Sequence, residues 1–314
     1  MRVAMPSKRT LTITAAVGGL LGTLAVANAL RTRKALRDNP PIGDFVEVDG
    51  VRLHYLEKGS GPPLLLIHGN GVMLQDWLIS GLFDELAKTN RVIAVDRPGS
   101  GHSGRPRGTQ WTPERQADLL AGLLEQLDAS PALVVGHSFG TLVAAAMALN
   151  HPEKVKSLAL IGGLYFPEPR VDALVVSGSA IPGWGDVVNY TMQPLIAESM
   201  HVPVERGMFG PAPTPAAWKR DFSWAVAARP SRMRAGASDA MHILPATGRL
   251  AKRYAEISVP VALLAGRGDR IVKPAHSHRL HEMLPHSRLN LIEGAGHMAH
   301  HPGMREVAAA VRLL

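Results

Sequence analysis

The sequence predicts an α/β fold: a doubly wound, mostly parallel sheet with a helical insertion and an N-terminal hydrophobic helix. Three observations carry this. Continuous apolar runs recur at 64–67, 92–95, 133–135, 158–161, 261–265 and 289–292. Runs without alternation suit strands buried on both faces. Amphipathic segments separate them, as at 112–127 and 274–284, and repeated strand and helix indicate a sheet covered on both sides. Finally, an apolar run at 132–135 passes through Gly136-His137-Ser138-Phe139-Gly140 directly into a helix-forming stretch, 141–149.

Taken in order, residues 1–40 form a separate N-terminal segment. Residues 11–30 carry no charge and are bracketed by Lys8-Arg9 and by Arg31, Arg33 and Lys34. As a helix they reach about 30 Å, the thickness of a bilayer core, and the flanking cations suit head groups on both sides. Gly18 and Gly22 form a GxxxG, which lets helices approach closely or simply supplies small residues. The alternative is a cleaved export signal, because Ala27-Asn28-Ala29 resembles a small-x-small cut site. The mature chain would then begin Leu30-Arg31-Thr32-Arg33-Lys34, and so basic a start hinders export. The reading taken is an uncleaved single-span membrane anchor. Positive charge on both sides selects no orientation.

Asp38-Asn39-Pro40-Pro41 is a stiff break. Beyond it, 45–48 and 51–57 alternate apolar and polar residues around Asp49-Gly50, a two-residue hairpin turn. The strand–helix repeat then runs to residue 163 and resumes at 246. Between them, 164–245 lacks the repeat and is rich in Pro, Trp, Met and Arg. The expected organisation is therefore a core of 41–163 and 246–314 with a helical cap, 164–245.

Composition narrows the function classes. The 314 residues, 46% of them hydrophobic, suffice for one large core. No cysteine is present, which excludes disulfides, thiolate nucleophiles and Cys-ligated zinc. The net charge of +8 belongs mostly to residues 1–40, which hold seven basic residues and one acid. A nearly balanced remainder argues against a nucleic-acid partner.

The chemistry lies on loops after the predicted strands. Ser138 between two glycines on a strand-to-helix turn is how a nucleophile is raised above a parallel sheet. A serine hydroxyl needs a histidine to take its proton and a carboxylate to hold that imidazole. Asp269, in Gly266-Arg267-Gly268-Asp269-Arg270, and His297, in Gly294-Ala295-Gly296-His297, follow later strands. The order Ser138, Asp269, His297 is that of an α/β-hydrolase sheet. His68-Gly69-Asn70-Gly71 follows the run at 64–67, where backbone amides can face a developing oxyanion. Phe139 supplies a second amide from the elbow. Asp96, in Asp96-Arg97-Pro98-Gly99-Ser100-Gly101-His102-Ser103, reads as a turn cap rather than a catalytic acid.

From residue 42 onward the chain resembles the α/β-hydrolase fold superfamily. The motifs are HGNG at 68–71, DRPGSGHS at 96–103, GHSFG at 136–140, GRGDRIV at 266–272 and GAGHMAHHP at 294–302. The resemblance implies Ser138 as nucleophile, His297 as general base then acid, Asp269 as orienting carboxylate, and Asn70 and Phe139 as oxyanion-hole residues. In relatives the residue after HG acts by backbone, by side chain, or not at all. Haloalkane dehalogenases and epoxide hydrolases of this fold carry aspartate at the nucleophile position. Serine here argues against an alkyl-enzyme ester. Some relatives take the acid from the end of the sixth strand, which here reads Gly162-Gly163-Leu164.

No cofactor is implied. His276, His278, His281 and His286 show no ligand spacing with a nearby acid and read as a solvated helix face rather than a metal site. His300 and His301 lie beside the base without a role that sequence assigns. The expected function is hydrolysis of an ester or related acyl bond in a small-molecule substrate. The alternatives are carbon–carbon bond hydrolysis of a diketone, a low-turnover ligand sensor, and a lipase or lysophospholipase at a membrane surface.

Overall fold

The computed structural model describes residues 7–169 and 177–314. Residues 1–6, with Arg2 of the basic tail, and 170–176 of the expected cap lie outside the described residues. Eight strands form one sheet: β1 (Asp44–Val48), β2 (Val51–Lys58), β3 (Pro63–Ile67), β4 (Arg91–Val95), β5 (Ala132–His137), β6 (Val155–Ile161), β7 (Val261–Gly266) and β8 (Arg288–Ile292). Their order is β1-β2-β4-β3-β5-β6-β7-β8. β3 to β8 pair in parallel, while β2 is antiparallel to both β1 and β4. The hairpin places Val48 opposite Val51. Asp49 and Gly50 both have positive φ, 48° and 72°, the backbone that matches the right-handed twist of paired strands.

In β3 to β7 the apolar runs are continuous because both faces are buried, whereas β8 at the sheet edge is partly exposed and carries the exposed Asn290. Leu65 and Ile67 of β3 pack with Leu119, Leu120, Leu123 and Leu142 on one side. Leu64 and Leu66 pack with Leu82, Phe83, Val307 and Val311 on the other. The first layer comprises α4 (Pro113–Gln126) and α5 (Phe139–Asn150). α4 begins where the Thr112 hydroxyl accepts from the Arg115 amide at 3.2 Å, with Pro113 in the first turn. In α5 every residue from Phe139 to Leu149 is buried; alanine-rich sequence lets this helix lie close under the sheet. On the opposite layer lie α2 (Gln75–Ile79), α3 (Leu82–Leu86) and α12 (Met304–Arg312); α11 (Ala275–Met283), between β7 and β8 in the chain, packs Leu280 into the cluster of the first layer.

The described part of the chain between β6 and β7 is helical: α6 (Trp184–Thr191), α7 (Gln193–Phe209), α8 (Ala216–Asp221), α9 (Trp224–Ala227) and α10 (Pro230–Leu250). The 11–30 stretch lies within one long helix, α1 (Lys8–Asp38). Its apolar window has mean hydropathy 1.7, and none of that window is buried. Its last turns are packed instead: Asn28 and Ala35 are buried.

A buried ionic network fastens α10 to the core. Arg97 Nη1 donates to Asp239 Oδ2 at 2.8 Å and to Gln116 Oε1 at 2.9 Å. Arg105 Nη1 donates to Asp239 Oδ1 at 2.8 Å. Arg97 also donates to the carbonyls of His68 (2.9 Å) and Gly69 (3.1 Å), so one guanidinium spans the loop after β3, α4 and the insertion. Asp239 is the carboxylate that both guanidinium groups share, and removing it leaves two cations unpaired in a dry interface. Asp239→Ala should therefore destabilise the fold by about 3–5 kcal/mol, read as a lower midpoint in urea unfolding followed by tryptophan fluorescence.

Candidate active site

Ser138 sits at the junction of β5 and α5 with φ 52° and ψ −119°, a conformation a non-glycine residue adopts only when its surroundings impose it. The surroundings are visible. A Cβ on Gly140 would lie 2.2 Å from the Ile67 carbonyl oxygen, and one on Gly136 would lie 2.6 Å from that of Gly140. Only glycine fits either place, so the elbow closes tightly and the serine is forced upward. The Ser138 amide donates to the Ile161 carbonyl at 2.9 Å, tying the elbow to β6.

The structure brings Ser138, His297 and Asp269 together. His297 Nε2 lies 2.9 Å from Ser138 Oγ, and His297 Nδ1 lies 2.8 Å from Asp269 Oδ2. The carboxylate fixes the tautomer: Nδ1–H donates to it, leaving the Nε2 lone pair toward the serine hydroxyl. The other carboxylate oxygen accepts from the amides of Ile271 (2.8 Å) and Val272 (2.9 Å), which hold Asp269 in place. Gly162, at the end of β6, faces this pair; a Cβ there would lie 3.4 Å from His297 Nδ1 and 3.6 Å from Asp269 Oδ2. The end of β6 thus adjoins the histidine but offers no acid.

Phe139 opens α5, where backbone N–H groups have no intrahelical acceptor. Asn70 lies across the cavity on the loop after β3. Its side chain is committed: Nδ2 donates to the Gly236 carbonyl at 3.0 Å, while Oδ1 accepts from Gly71 N and from Arg232 Nη2 at 3.3 Å. That engagement with α10 leaves the backbone amide of Asn70 as its free donor. Asp96, expected as a turn cap, is one: its carboxylate accepts from the amides of Leu74 and His102 and from His54 Nδ1.

These residues open onto a cavity of about 490 Å³. Its walls are mainly apolar, with Leu142, Leu164, Ile196, Met200, Val204 and Ile243 among them. Among the described lining residues Arg232 of α10 is the one permanent charge, and neither periodicity nor a motif singles it out in the sequence. It is 3% exposed, lines the cavity, and has no carboxylate within ion-pair distance among the described residues. Burial, aided by the Arg97 charge, pushes its pKa down to about 10, so it remains a cation at neutral pH.

Behind the elbow lies a polar cluster that the sequence left without a role. His300 Nε2 and His301 Nε2 lie 3.0 and 2.7 Å from the two oxygens of Asp76. His137, the residue before the serine, donates through Nε2 to the His297 carbonyl at 3.1 Å. Asp76, His137 and His300 present ligand-type atoms within 4.8 Å of one another, but both Asp76 oxygens are taken up by imidazoles. His276 departs from the solvated face expected of it: it is buried, with Nε2 2.8 Å from a Glu168 carboxylate oxygen.

Buried neutral histidines make acid stability predictable. Burial, with the Arg97 charge beside it, lowers His68 to about 3. Burial likewise lowers His137 and His300. Each takes up a proton on unfolding below its ordinary value of about 6.5, so the unfolded chain binds more protons there than the folded one. Stability is fully present above about pH 6.5 and is lost as pH falls toward the depressed folded values. Melting temperatures followed by circular dichroism should fall progressively below pH ~6.5; a flat profile down to pH ~4 would contradict the neutral, buried assignment.

Residues 62–303 match the family described as alpha/beta hydrolase fold. The chain is 40% identical over 136 residues to a 2-hydroxymuconate semialdehyde hydrolase of Pseudomonas sp. (strain CF600), covering 42% of this chain and 48%, about half, of that relative. A 2-hydroxy-6-oxo-2,4-heptadienoate hydrolase of Pseudomonas putida is 26% identical over 269 residues, 82% of this chain and 91% of its own. Among solved structures, an esterase from Thermogutta terrifontis superposes with a TM-score of 0.70 at 24% identity, covering 86% of this chain and 97% of that one. Sheet order, nucleophile elbow and a match over most of the length agree: the chain belongs to the alpha/beta hydrolase fold family.

Proposed function

We propose that this hydrolase-fold protein is a serine hydrolase that cleaves an ester or related acyl bond through Ser138, His297 and Asp269. The observation that carries the reading is the unbroken hydrogen-bonded chain from Asp269 to Ser138 Oγ at the floor of an apolar cavity. In this mechanism His297 Nε2 takes the hydroxyl proton as Ser138 Oγ attacks the carbonyl carbon. The amides of Phe139 and Asn70 receive the oxyanion. His297 then gives the proton to the leaving group, and a water deprotonated by the same nitrogen releases the acid from the acyl-enzyme. Asp269 stabilises the imidazolium at both steps.

A second reading, hydrolysis of a carbon–carbon bond in a diketone, is favoured by Arg232. A buried guanidinium without a carboxylate partner among the described residues, beside the Asn70 loop, suits a substrate that brings its own anion. Two of the relatives are named for carboxylate-bearing substrates, a muconate semialdehyde and a heptadienoate. For the N-terminus, the reading is a retained membrane anchor. It is supported by a helix that runs unbroken through Ala27-Asn28-Ala29 and by the buried Asn28 side chain.

Ser138→Ala should lower turnover of short p-nitrophenyl esters by at least about 10³-fold, and a fluorophosphonate probe should label Ser138 in the folded protein. Absence of labelling in folded protein would instead favour a sensor. Arg232→Gln should cost kcat/KM on a carboxylate-bearing diketone about tenfold more than on a neutral ester, the scale of a hydrogen bond to a charged group. Equal losses on both would reduce Arg232 to a support for Asn70.

A further inference from the structure

We propose that the insertion rests on a lipid bilayer, with α6 and the start of α7 in the head-group layer, so that the catalytic cavity takes its substrate from the membrane. This rests on reading 11–30 as a span, and it assigns a surface which that reading leaves open.

The argument begins with register along α1. Asn28 lies inside the apolar stretch, two residues before its end, or about 3 Å along the helix axis. Its Nδ2 donates to the carbonyls of Tyr190 (2.9 Å) and Thr191 (2.8 Å), at the C-terminal end of α6. A spanning helix therefore carries α6 to the level where its own apolar segment ends. One turn further on, Arg31 pairs with Glu198 of α7 at 3.3 Å. Arg33, Lys34 and Arg37 follow on the same flank, a charge suited to anionic head groups.

What α6 and α7 present at that level is apolar. Trp184, 66% exposed, and Val187 stand three residues apart on α6; Met192 and Leu195, also exposed, repeat that spacing at the start of α7. Residues three apart share a helix face, and exposed apolar surface of this kind marks an interaction site. Trp at such a level matches the interfacial preference of indole.

The same helix borders the catalytic cavity. Ala197 and His201 of α7, with Trp224 and Ala228, line both the cleft against α1 and the cavity that holds Ser138. Ile196, Met200 and Val204 line that cavity while remaining exposed, so they form an apolar rim at its mouth. Anchor, apolar surface and cavity mouth are thus joined through one helix, and the occupant that fits is the bilayer that holds the anchor. The substrate class is an apolar carbonyl compound that partitions into lipid.

The chain has no cysteine, so single-cysteine variants of the full-length protein report cleanly. Nitroxides at Leu20→Cys, Trp184→Cys, Leu195→Cys and Lys88→Cys are placed in phosphatidylcholine–phosphatidylglycerol vesicles. Collision with oxygen is compared with collision with a water-soluble nickel chelate. The expected result is deep lipid at 20, head-group depth at 184 and 195, and water at 88. Water at 184 and 195 with lipid at 20 overturns the docking while leaving the span. Water at 20 overturns both. Shielding of 184 and 195 from both reagents assigns the surface to a second copy and also overturns the proposal. Independently, Trp184→Glu with Leu195→Glu should slow hydrolysis of a vesicle-partitioned long-chain ester by about tenfold or more, the worth of a buried large apolar side chain. Fluorophosphonate labelling of Ser138 in the same variant shows whether the serine hydrolase itself is intact; an equal loss on a soluble short-chain ester overturns the membrane route.

Discussion

The guanidinium of Arg97 is the contact on which the rest of the site depends. It is fully buried, and its hydrogen bonds reach the His68 and Gly69 carbonyls, Gln116 of α4 and Asp239 of α10. It also lies 4.6 Å from the centroid of the ring of Phe139, the residue after Ser138. Arg97 thereby joins the loop after β3, the elbow helix and the insertion in one network. A planar, permanently charged group with five donors can do this; an ammonium cannot reach so many fixed acceptors. The arrangement also explains why His68 stays neutral, since its Nε2 accepts from the Arg97 amide at 3.0 Å.

Around that hub the site has two parts. One is borne by the sheet and the loops at its strand ends: the strained Ser138 backbone, Asp269 held by two amides, and His297 between them. The other comes from α7 and α10, which supply apolar walls, Arg232 and the bonds that hold the Asn70 side chain. The lowered pKa of Arg232 reflects the cost of burying its charge.

The N-terminal helix is packed against the insertion rather than detached from it. Its exposed apolar segment ends where Asn28 is buried against α6, and Ala35 packs in the same cluster as Met208 and Trp218. A continuous helix leads from that apolar segment to the insertion, so the two are held together without a linker.

Much of the fold was legible in the sequence because its signals are local or periodic. Six apolar runs became the six parallel strands; in β3 to β7 both faces are buried and the run is unbroken, while the edge strand β8 exposes Asn290. The Asp49-Gly50 turn, the Thr112 cap and the glycines around Ser138 carry their reasons within a few residues. So does the chain order of Ser138, Asp269 and His297, which the topology of the sheet turns into adjacency. Other features had no such signal. Arg97 and Asp239 are 142 residues apart, and Asn28 meets Tyr190 across 162; no window of sequence contains both partners. His276 looked like one of several surface histidines until α11 turned it toward Glu168 and Phe166. The sequence by itself determined the sheet and the tight elbow that carries Ser138, because backbone sterics and strand burial act over short spans. Only the tertiary structure decided which side chains of the insertion close the cavity and where α1 docks against them, because desolvated charge pairing and helix docking depend on partners that the fold alone brings together.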